Sequence, residues 1–337
     1  IPDPGPAPEP DIDCFAPESV GQIGNSGPCD DMLIVDNTLL RAAASPSTVD
    51  SAPGGDGSFA IAHADSGRTF TFGDSDDNIF TGQATFFYGL FHSTDFNDNI
   101  NYWDTRNVTT LNATFMNASL YNQPLDQWDV SSVTTLQSTF NGAREFNQPL
   151  NDWDVSRVTT LSSTFSGAHE FNQPLNNWDV SSVTTLRSAF SGAREFNQPL
   201  DQWDVSSVTS LDRTFQNTSE FNQPLDMWDV SRVTDMGGLF RNASAFDQPL
   251  AAWGYKLGNV TRFSSSTTLD NNNVNVRGIF SGATAFDQDI SIWCTSAYQG
   301  ENLPSGDLSN PDEIAGLVAF SGIADQPSKQ PQWGSCP

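Results

Sequence analysis

A repeat of 25 residues constrains the fold of this chain more than any local pattern does. Trp recurs at that interval from Trp103 to Trp253, and Trp293 and Trp333 follow, each after 40 residues. From Trp128 onward, a Phe precedes each of these Trp residues by 13 positions. A unit this short cannot bury its own apolar face, so the units must stack as the coils of a solenoid. Nine coils that end in Trp are predicted.

The pattern inside one unit predicts the path of each coil. Val133, Leu136 and Phe140 are spaced as on one face of a helix, which predicts a helical turn over about 136–141, ended by Gly142. The Val-Thr pair just before this turn favours a short strand, because β-branched residues suit strands. The predicted fold class is a repeat solenoid in which each coil has a short parallel strand, a helical turn and an extended return.

The repeated aromatic residues are predicted to form stacked ladders in the core. Their regular spacing places each ring beside its equivalent in the next coil. For Trp, the alternative is an exposed aromatic platform that binds sugar rings. The residues concerned are Trp128, Trp153, Trp178, Trp203 and Trp228.

Two polar residues also recur once in each unit. The Asp that follows Trp begins an Asp-Val-Ser sequence, which is typical of a turn in which the carboxylate accepts main-chain N–H bonds. A calcium-binding ladder is the alternative. The Asn of the Asn-Gln-Pro-Leu sequence is predicted to form a hydrogen-bond ladder between coils. The two sets are Asp104, Asp129, Asp154, Asp179, Asp204 and Asp229, and Asn122, Asn147, Asn172, Asn197 and Asn222.

The net charge of the chain limits the classes of molecule that it is expected to bind. The chain has 337 residues with 14 Lys plus Arg against 41 Asp plus Glu, a formal net charge of −27. This balance argues against nucleic acid and anionic membranes, whose recognition depends on basic side chains. No apolar run approaches the ~18 residues of a membrane span, so no membrane insertion is predicted. Because the chain begins at Ile1 with no leader, we expect that a signal peptide has been removed or that the chain is a fragment.

Four cysteines lie outside the regular repeats, near the two ends. Cys14 and Cys29 precede the repeats, and Cys294 and Cys336 lie near their end. Four cysteines allow three pairings, and proximity favours Cys14–Cys29 and Cys294–Cys336. Disulfides persist in oxidising compartments, so a secreted or cell-surface location is predicted.

Four segments are predicted along the chain. Residues 1–13 form a Pro-rich acidic tail or linker, 14–81 an N-terminal cap, 82–293 the solenoid with an insertion near 264–278, and 294–337 a C-terminal cap. Within the N-terminal cap, strands at 33–35 and 70–72 are expected around a helix at 38–44.

No catalytic motif is present in the sequence, and the chain is predicted not to be an enzyme. A glycosidase that uses surface carboxylates is the enzymatic alternative, but no polar residues are apparent that break the repeat and converge in a cleft. No cofactor is predicted, with calcium as a weak candidate at Asp74, Asp76 and Asp77. The surrounding segment lacks the Gly and Glu of an EF-hand loop.

Six Asn-x-Ser/Thr sequences could carry N-linked glycans if the source is a eukaryote. Their number is no more than chance predicts from the composition. They begin at Asn107, Asn112, Asn117, Asn217, Asn242 and Asn259.

The unit Phe-Asn-Gln-Pro-Leu-x-x-Trp-Asp-Val-Ser-x-Val-Thr resembles the 25-residue repeat of the BspA-like surface proteins, a family related to leucine-rich-repeat proteins. The resemblance covers roughly residues 82–337. It implies a right-handed, leucine-rich-repeat-like solenoid and carries over no catalytic residue. The closing Trp293-Cys294 and Trp333 to Pro337 are similar to the family's terminal cap, which supports the Cys294–Cys336 pairing. Gly254 departs from the repeat where the six preceding units have Asp.

Together these features predict a non-catalytic extracellular surface protein. One hypothesis is an adhesion or interaction scaffold that displays a Thr- and Ser-rich face, or a subunit of a surface filament. The alternative is a carbohydrate-binding module. The expected partners are a protein or glycan on an extracellular surface, or copies of the chain joined head to tail.

Overall fold

The computed structural model describes residues 10–48, 54–73, 78–259, 278–291, 293, 321 and 323–329. The predicted calcium ligands Asp74, Asp76 and Asp77 lie outside these residues, as do Cys294, Cys336 and nearly all of the insertion at 264–278. None of the helices in the described part is long and apolar enough to cross a membrane.

The region before the repeats contains four short strands and one α-helix. Strand β1 (Leu33–Ile34) pairs in parallel with β4 (Ile79–Phe80), and β2 (Ala60–Ala62) pairs antiparallel with β3 (Thr69–Thr71). Helix α1 (Asn37–Ala43) begins where the Asp36 carboxylate accepts two main-chain N–H bonds. The strands and helix predicted at 33–35, 70–72 and 38–44 are thus present. Short 3-10 helices occur at Pro17–Ser19, Gly27–Cys29, Ala251–Asn259 and Pro327–Lys329.

One disulfide ties the start of this region together. Cys14 and Cys29 are bonded, as the sequence predicts, and both are buried beside Ile34 and Phe80. The crosslink therefore fixes the first residues of the described chain to the β1–β4 pair, directly before the first coil.

From about residue 82 the chain forms a repeat solenoid in which each coil contributes one parallel bridge. The bridges link equivalent positions of successive coils: Phe86, Thr110, Thr135, Thr160, Thr185, Ser210 and Asp235. The strand predicted in each unit is thus reduced to a single paired residue.

The helical turn predicted over 136–141 is wrong. Main-chain N–H groups alternate between two kinds of partner: those of Ser138 and Phe140 donate to the next coil, whereas Thr139 closes a local turn on Leu136. A helix would use all of these N–H groups within the unit and leave none for the neighbouring coil. Gly142, predicted as a helix cap, instead ends this series of turns at φ +73°.

The alternation requires two left-handed residues, four positions apart, in each coil. Glycine fills some of these sites, but Ser, Asn, Ala and Arg fill others, although non-glycine residues seldom adopt this conformation. Contact with both neighbouring coils holds them there. The residues are Ala113, Asn117, Ser138, Gly142, Ser163, Gly167, Ser188, Gly192, Arg213, Asn217, Gly238 and Asn242.

Aromatic stacks fill the core. The Phe140 and Phe165 ring centroids are 5.6 Å apart and the rings nearly parallel, and further along the solenoid Trp178 and Trp203 stack at 6.4 Å. From Trp153 to Trp293 each indole N–H also donates to a Leu carbonyl of the preceding coil, as Trp178 does to Leu150 at 2.8 Å. This bond explains why the position is Trp rather than Phe, because an indole can fill the core and donate.

The repeated Asn residues join the coils along one side. The Asn172 side-chain oxygen accepts hydrogen bonds from the main-chain N–H of Asn197 at 3.0 Å and from the Gln198 amide at 2.9 Å. Asp247 and Asp287 continue this ladder across 40 residues with the same geometry, the Asp287 N–H donating to Asp247 at 2.8 Å. The Phe240 and Phe280 rings also stack across that interval, at 5.6 Å. Stacking is therefore unaffected by the extra 15 residues.

Tyr121 provides a test of the aromatic core. It occupies a column otherwise made of Phe, and its hydroxyl is buried with no hydrogen-bond partner among the described residues. Burial raises the pKa of Tyr121 well above its usual value.

Tyr121→Phe should raise the free energy of unfolding by about 1 kcal/mol, since it removes a desolvated hydroxyl. Phe146→Tyr, the reverse change one coil later, should lower it in denaturant titrations. A less stable Tyr121→Phe variant would show that the hydroxyl is bonded.

A second test concerns the Asn ladder. Asn172→Leu removes the acceptor for two donors and should cost about 2 kcal/mol in urea unfolding. Asn172→Asp keeps an acceptor in place, as Asp247 does naturally, and should cost under about 1 kcal/mol at pH 7. Equal losses for the two variants would contradict a role for the side-chain oxygen.

Candidate functional site

The two long sides of the solenoid differ sharply in charge. The acidic edge is defined as residues 101–104, 126–129, 151–154, 176–179, 201–204 and 226–229; it has ten Asp and no Lys or Arg. The Thr face is defined as residues 107–110, 132–135, 157–160, 182–185, 207–210 and 232–235; it has two Arg and one Asp. Both sets have 24 residues, so their formal charges of −10 and +1 compare directly.

Each Asp after Trp on the acidic edge caps a turn, the first of the two alternatives that the sequence left open. The Asp154 carboxylate accepts from the Ser156 N–H at 3.1 Å, and Asp204 accepts from Ser206 at 3.0 Å. Hydrogen bonds from these serines hold the pKa of Asp154 and Asp204 below the usual range. The same N–H bond occurs at Asp129, Asp179 and Asp229.

The tryptophans of the acidic edge point into the core. Trp128, Trp153, Trp178, Trp203 and Trp228 are at most 4% exposed. Among the described residues no group of three or more His, Cys, Asp or Glu could hold a metal ion. The six carboxylates that follow Trp are engaged in turns, whereas Asp126 and Asp201 accept from side-chain amides of the same edge.

The Thr face presents an ordered row of side chains. Six threonines on successive coils are exposed, and the hydroxyl of each donates to a main-chain carbonyl of the preceding coil at 3.1–3.3 Å. All six side chains are thus held in the same way. They are Thr109, Thr134, Thr159, Thr184, Thr209 and Thr234.

A groove of about 440 Å³, here called the junction groove, lies where the N-terminal region meets the first coils. Tyr102, Asp104, Arg106, Gln127 and Asp129 contribute polar groups to it. Pro28, Met32, Ile79, Phe80, Thr81, Trp103 and Thr105 complete the lining. The prediction that no polar residues converge in a cleft is therefore wrong. It failed because the groove exists only where the first coils meet the cap, which supplies five of the twelve lining residues.

Hydrogen bonds and ion pairs hold the polar side chains of the groove. The Arg106 guanidinium lies 2.8 Å from one oxygen of Asp104 and 5.8 Å from the centroid of the Phe15 ring. The other oxygen of Asp104 is buried and has no hydrogen-bond partner among the described residues. The hydroxyl of Tyr102 donates to the Phe72 carbonyl at 2.7 Å, which fixes a ring that is 38% exposed.

The candidate glycosylation sites differ in their surroundings. Asn107 is exposed and its amide donates to the Gly82 carbonyl at 2.8 Å, whereas Asn112 is half-buried. Asn117, Asn217 and Asn242 are exposed left-handed residues, and the amide of Asn242 donates to Asn217 at 2.8 Å. The side chain of Asn259 lies outside the described part.

Comparison with known proteins identifies the repeats. The model of a family described as "Mycoplasma protein of unknown function, DUF285" matches residues 84–193, 161–273 and 263–302, which is more than half of the chain. The chain belongs to the DUF285 family. The match starts at the first coil, so the DUF285 unit is the solenoid itself. No curated protein matches significantly. A solved internalin (inlF) from Listeria monocytogenes is similar at 11% identity and a TM-score of 0.20, over 71% of this chain and 83% of that one.

The pKa shifts of the capping carboxylates predict how the stability of this DUF285 chain depends on pH. The pKa of each capping carboxyl is lower in the folded chain than its value of ~3.9 in the unfolded chain. Its contribution to stability is therefore complete above pH ~3.9 and is lost as the pH falls through the folded-state pKa. The double variant Asp154→Asn, Asp204→Asn keeps turn-forming side chains that do not titrate.

The melting temperature of this variant should fall less than that of the wild type between pH 4.5 and pH 2.5 (values chosen to bracket ~3.9). Asp154→Ala, Asp204→Ala loses the turn bonds at every pH and should melt lower at both. Equal acid losses for the wild type and the Asn variant would contradict this assignment.

Proposed function

We propose that this protein is a non-catalytic, BspA-like extracellular surface protein whose solenoid is an adhesion or interaction scaffold, with the Thr face as its binding surface. The observation that carries the proposal is the row of six equivalent, exposed threonines on a nearly neutral side of a chain with net charge −27. A nearly neutral surface of this length in so acidic a chain suits a partner that negative charge would repel.

The Thr face combines two properties that favour weak, multiple contacts. Identical groups at a fixed spacing allow several contacts to form together, so that avidity exceeds the affinity of any single contact. Each hydroxyl is already held by the main chain, as at Thr159 and Thr184, so little side-chain freedom is lost on binding.

The proposed location rests on the cysteines and on the resemblance of the repeat to BspA-like proteins. The Cys14–Cys29 disulfide would persist outside the cell, and we propose Cys294–Cys336 as its counterpart at the other end. Copies of the chain joined head to tail into a filament are a further version of the same proposal, since open contacts of this kind generate fibres.

The proposal is tested by attachment of beads that carry the protein at defined density to surfaces coated with collagen, fibronectin, laminin or the protein itself. Wild-type beads should attach to at least one coating, and attachment should fall steeply with density. Thr159→Asp, Thr184→Asp should reduce attachment about tenfold or more, since it removes two adjacent contacts.

Asn177→Asp, Gln202→Asp is the matched control, because it adds the same charge on the acidic edge, at a position where Asp152 occurs naturally. It should attach like the wild type. Attachment only to the protein's own coating would select the filament version. No attachment to any coating, or full attachment of the Thr variant, would overturn the proposal.

A further inference from the structure

We propose that the junction groove binds a neutral saccharide, with the ring of Tyr102 as the surface on which the sugar stacks. The inference rests on the extracellular role proposed above, but it uses a different surface from the Thr face. It gives the carbohydrate-binding function a location that the repeat pattern alone does not predict.

The residues that distinguish the first full coil converge on this groove. Tyr102 stands where the next coil has Gln127, Thr105 where it has Val130, and Arg106 where it has Ser131. Residues that the solenoid itself needs recur in every coil. Tyr102, Thr105 and Arg106 all line the groove.

Thr105 and Arg106 stand where the next five coils all have Val and Ser, and local contacts account for them: Thr105 donates to the Asp129 carbonyl and Arg106 pairs with Asp104. Tyr102 occupies a position that varies in the six coils that follow, and it is the one aromatic residue there. The packing of coils does not require its ring, because the other coils do without one.

Tyr102 has the properties of a sugar-stacking residue. Its ring is 38% exposed, and the bond from its hydroxyl to Phe72 holds the ring in one orientation. Sugar rings carry patches of C–H groups that pack against an aromatic face, and a fixed ring loses little freedom when they do. Tyr102 also lines a second concavity of about 460 Å³ together with Asn99, Asn101 and Gln127.

Side-chain amides and carboxylates beside the ring suit hydroxyl groups. Asn101 and Gln127 both hydrogen-bond Asp126, and these bonds lower the pKa of that carboxyl and keep it ionised. Gln127 and Asp129 line the groove beside Tyr102 and present amide and carboxylate groups of the kind that hydrogen-bond sugar hydroxyls. A volume of about 440 Å³ lies within the usual range of small-ligand pockets.

The charge around the groove selects among saccharides. Asp104 and Asp129 line it, Asp126 is bonded to the lining residue Gln127, and Arg106, the basic residue of the lining, is already paired with Asp104. Sialylated, uronic or sulfated sugars would be repelled by these carboxylates. The expected ligand is therefore a neutral hexose or a short neutral oligosaccharide.

The test is a glycan array that contains neutral and acidic glycans, followed by calorimetric titration of the best neutral oligosaccharide. Wild-type protein should bind neutral glycans above an unrelated acidic control protein and should not bind their sialylated or sulfated forms. Tyr102→Gln introduces the residue of the next coil, so folding is retained, and it should weaken binding about tenfold or more through loss of the stacked ring.

Met227→Gln is the matched control, because it makes the same change at the same repeat position five coils away, where Met227 is 73% exposed. It should bind like the wild type. No neutral glycan above the control protein, binding confined to acidic glycans, or undiminished binding by Tyr102→Gln would each overturn the inference.

The Thr159→Asp, Thr184→Asp variant separates this inference from the proposed function. It should bind the oligosaccharide normally while its beads fail to attach. A blank array combined with normal bead attachment would remove the saccharide site and leave the scaffold function standing.

Discussion

Main-chain hydrogen bonding between coils is the constraint on which the structure depends. Every second N–H in the segment after Leu136 reaches the next coil, and this is achieved only by placing residues such as Ser138 in the left-handed conformation. The Asn ladder, the Trp indole bonds and the Thr hydroxyl bonds run the opposite way, because their donors reach back to acceptors on the preceding coil. The aromatic rings stack because these bonds fix the coils at one spacing and register.

The sequence predicts the parts of this structure that repeat. The solenoid, the Asn ladder and the Asp turns all follow from residues that recur every 25 positions. The path of the main chain cannot be predicted from the repeat in the same way. The apolar spacing of Val133, Leu136 and Phe140 fits both a helix and this series of turns. Only the competition between local and inter-coil hydrogen bonds decides between them. The junction groove was missed because it combines single departures from the repeat with residues of the cap; the departure of Tyr102 was the available signal.

Charge is distributed unevenly over the repeating unit of the solenoid. Carboxylates on the acidic edge close turns and repel polyanions. The Thr face, in contrast, has a formal charge of only +1 over six coils. A repeat makes this division simple, because one residue type at one position of the unit defines a whole side of the molecule.

The interval between Asp247 and Asp287 shows what this architecture tolerates. The hydrogen bond and the ring stacking across it match those of the regular coils, although the chain between is 15 residues longer. Successive coils thus pack on each other in the same way, whatever the length of the chain that connects them. A gene with such units can gain or lose them by unequal recombination, or accept new loop sequence, without a folding penalty at the junction. The length of the solenoid can therefore change in whole steps of one coil.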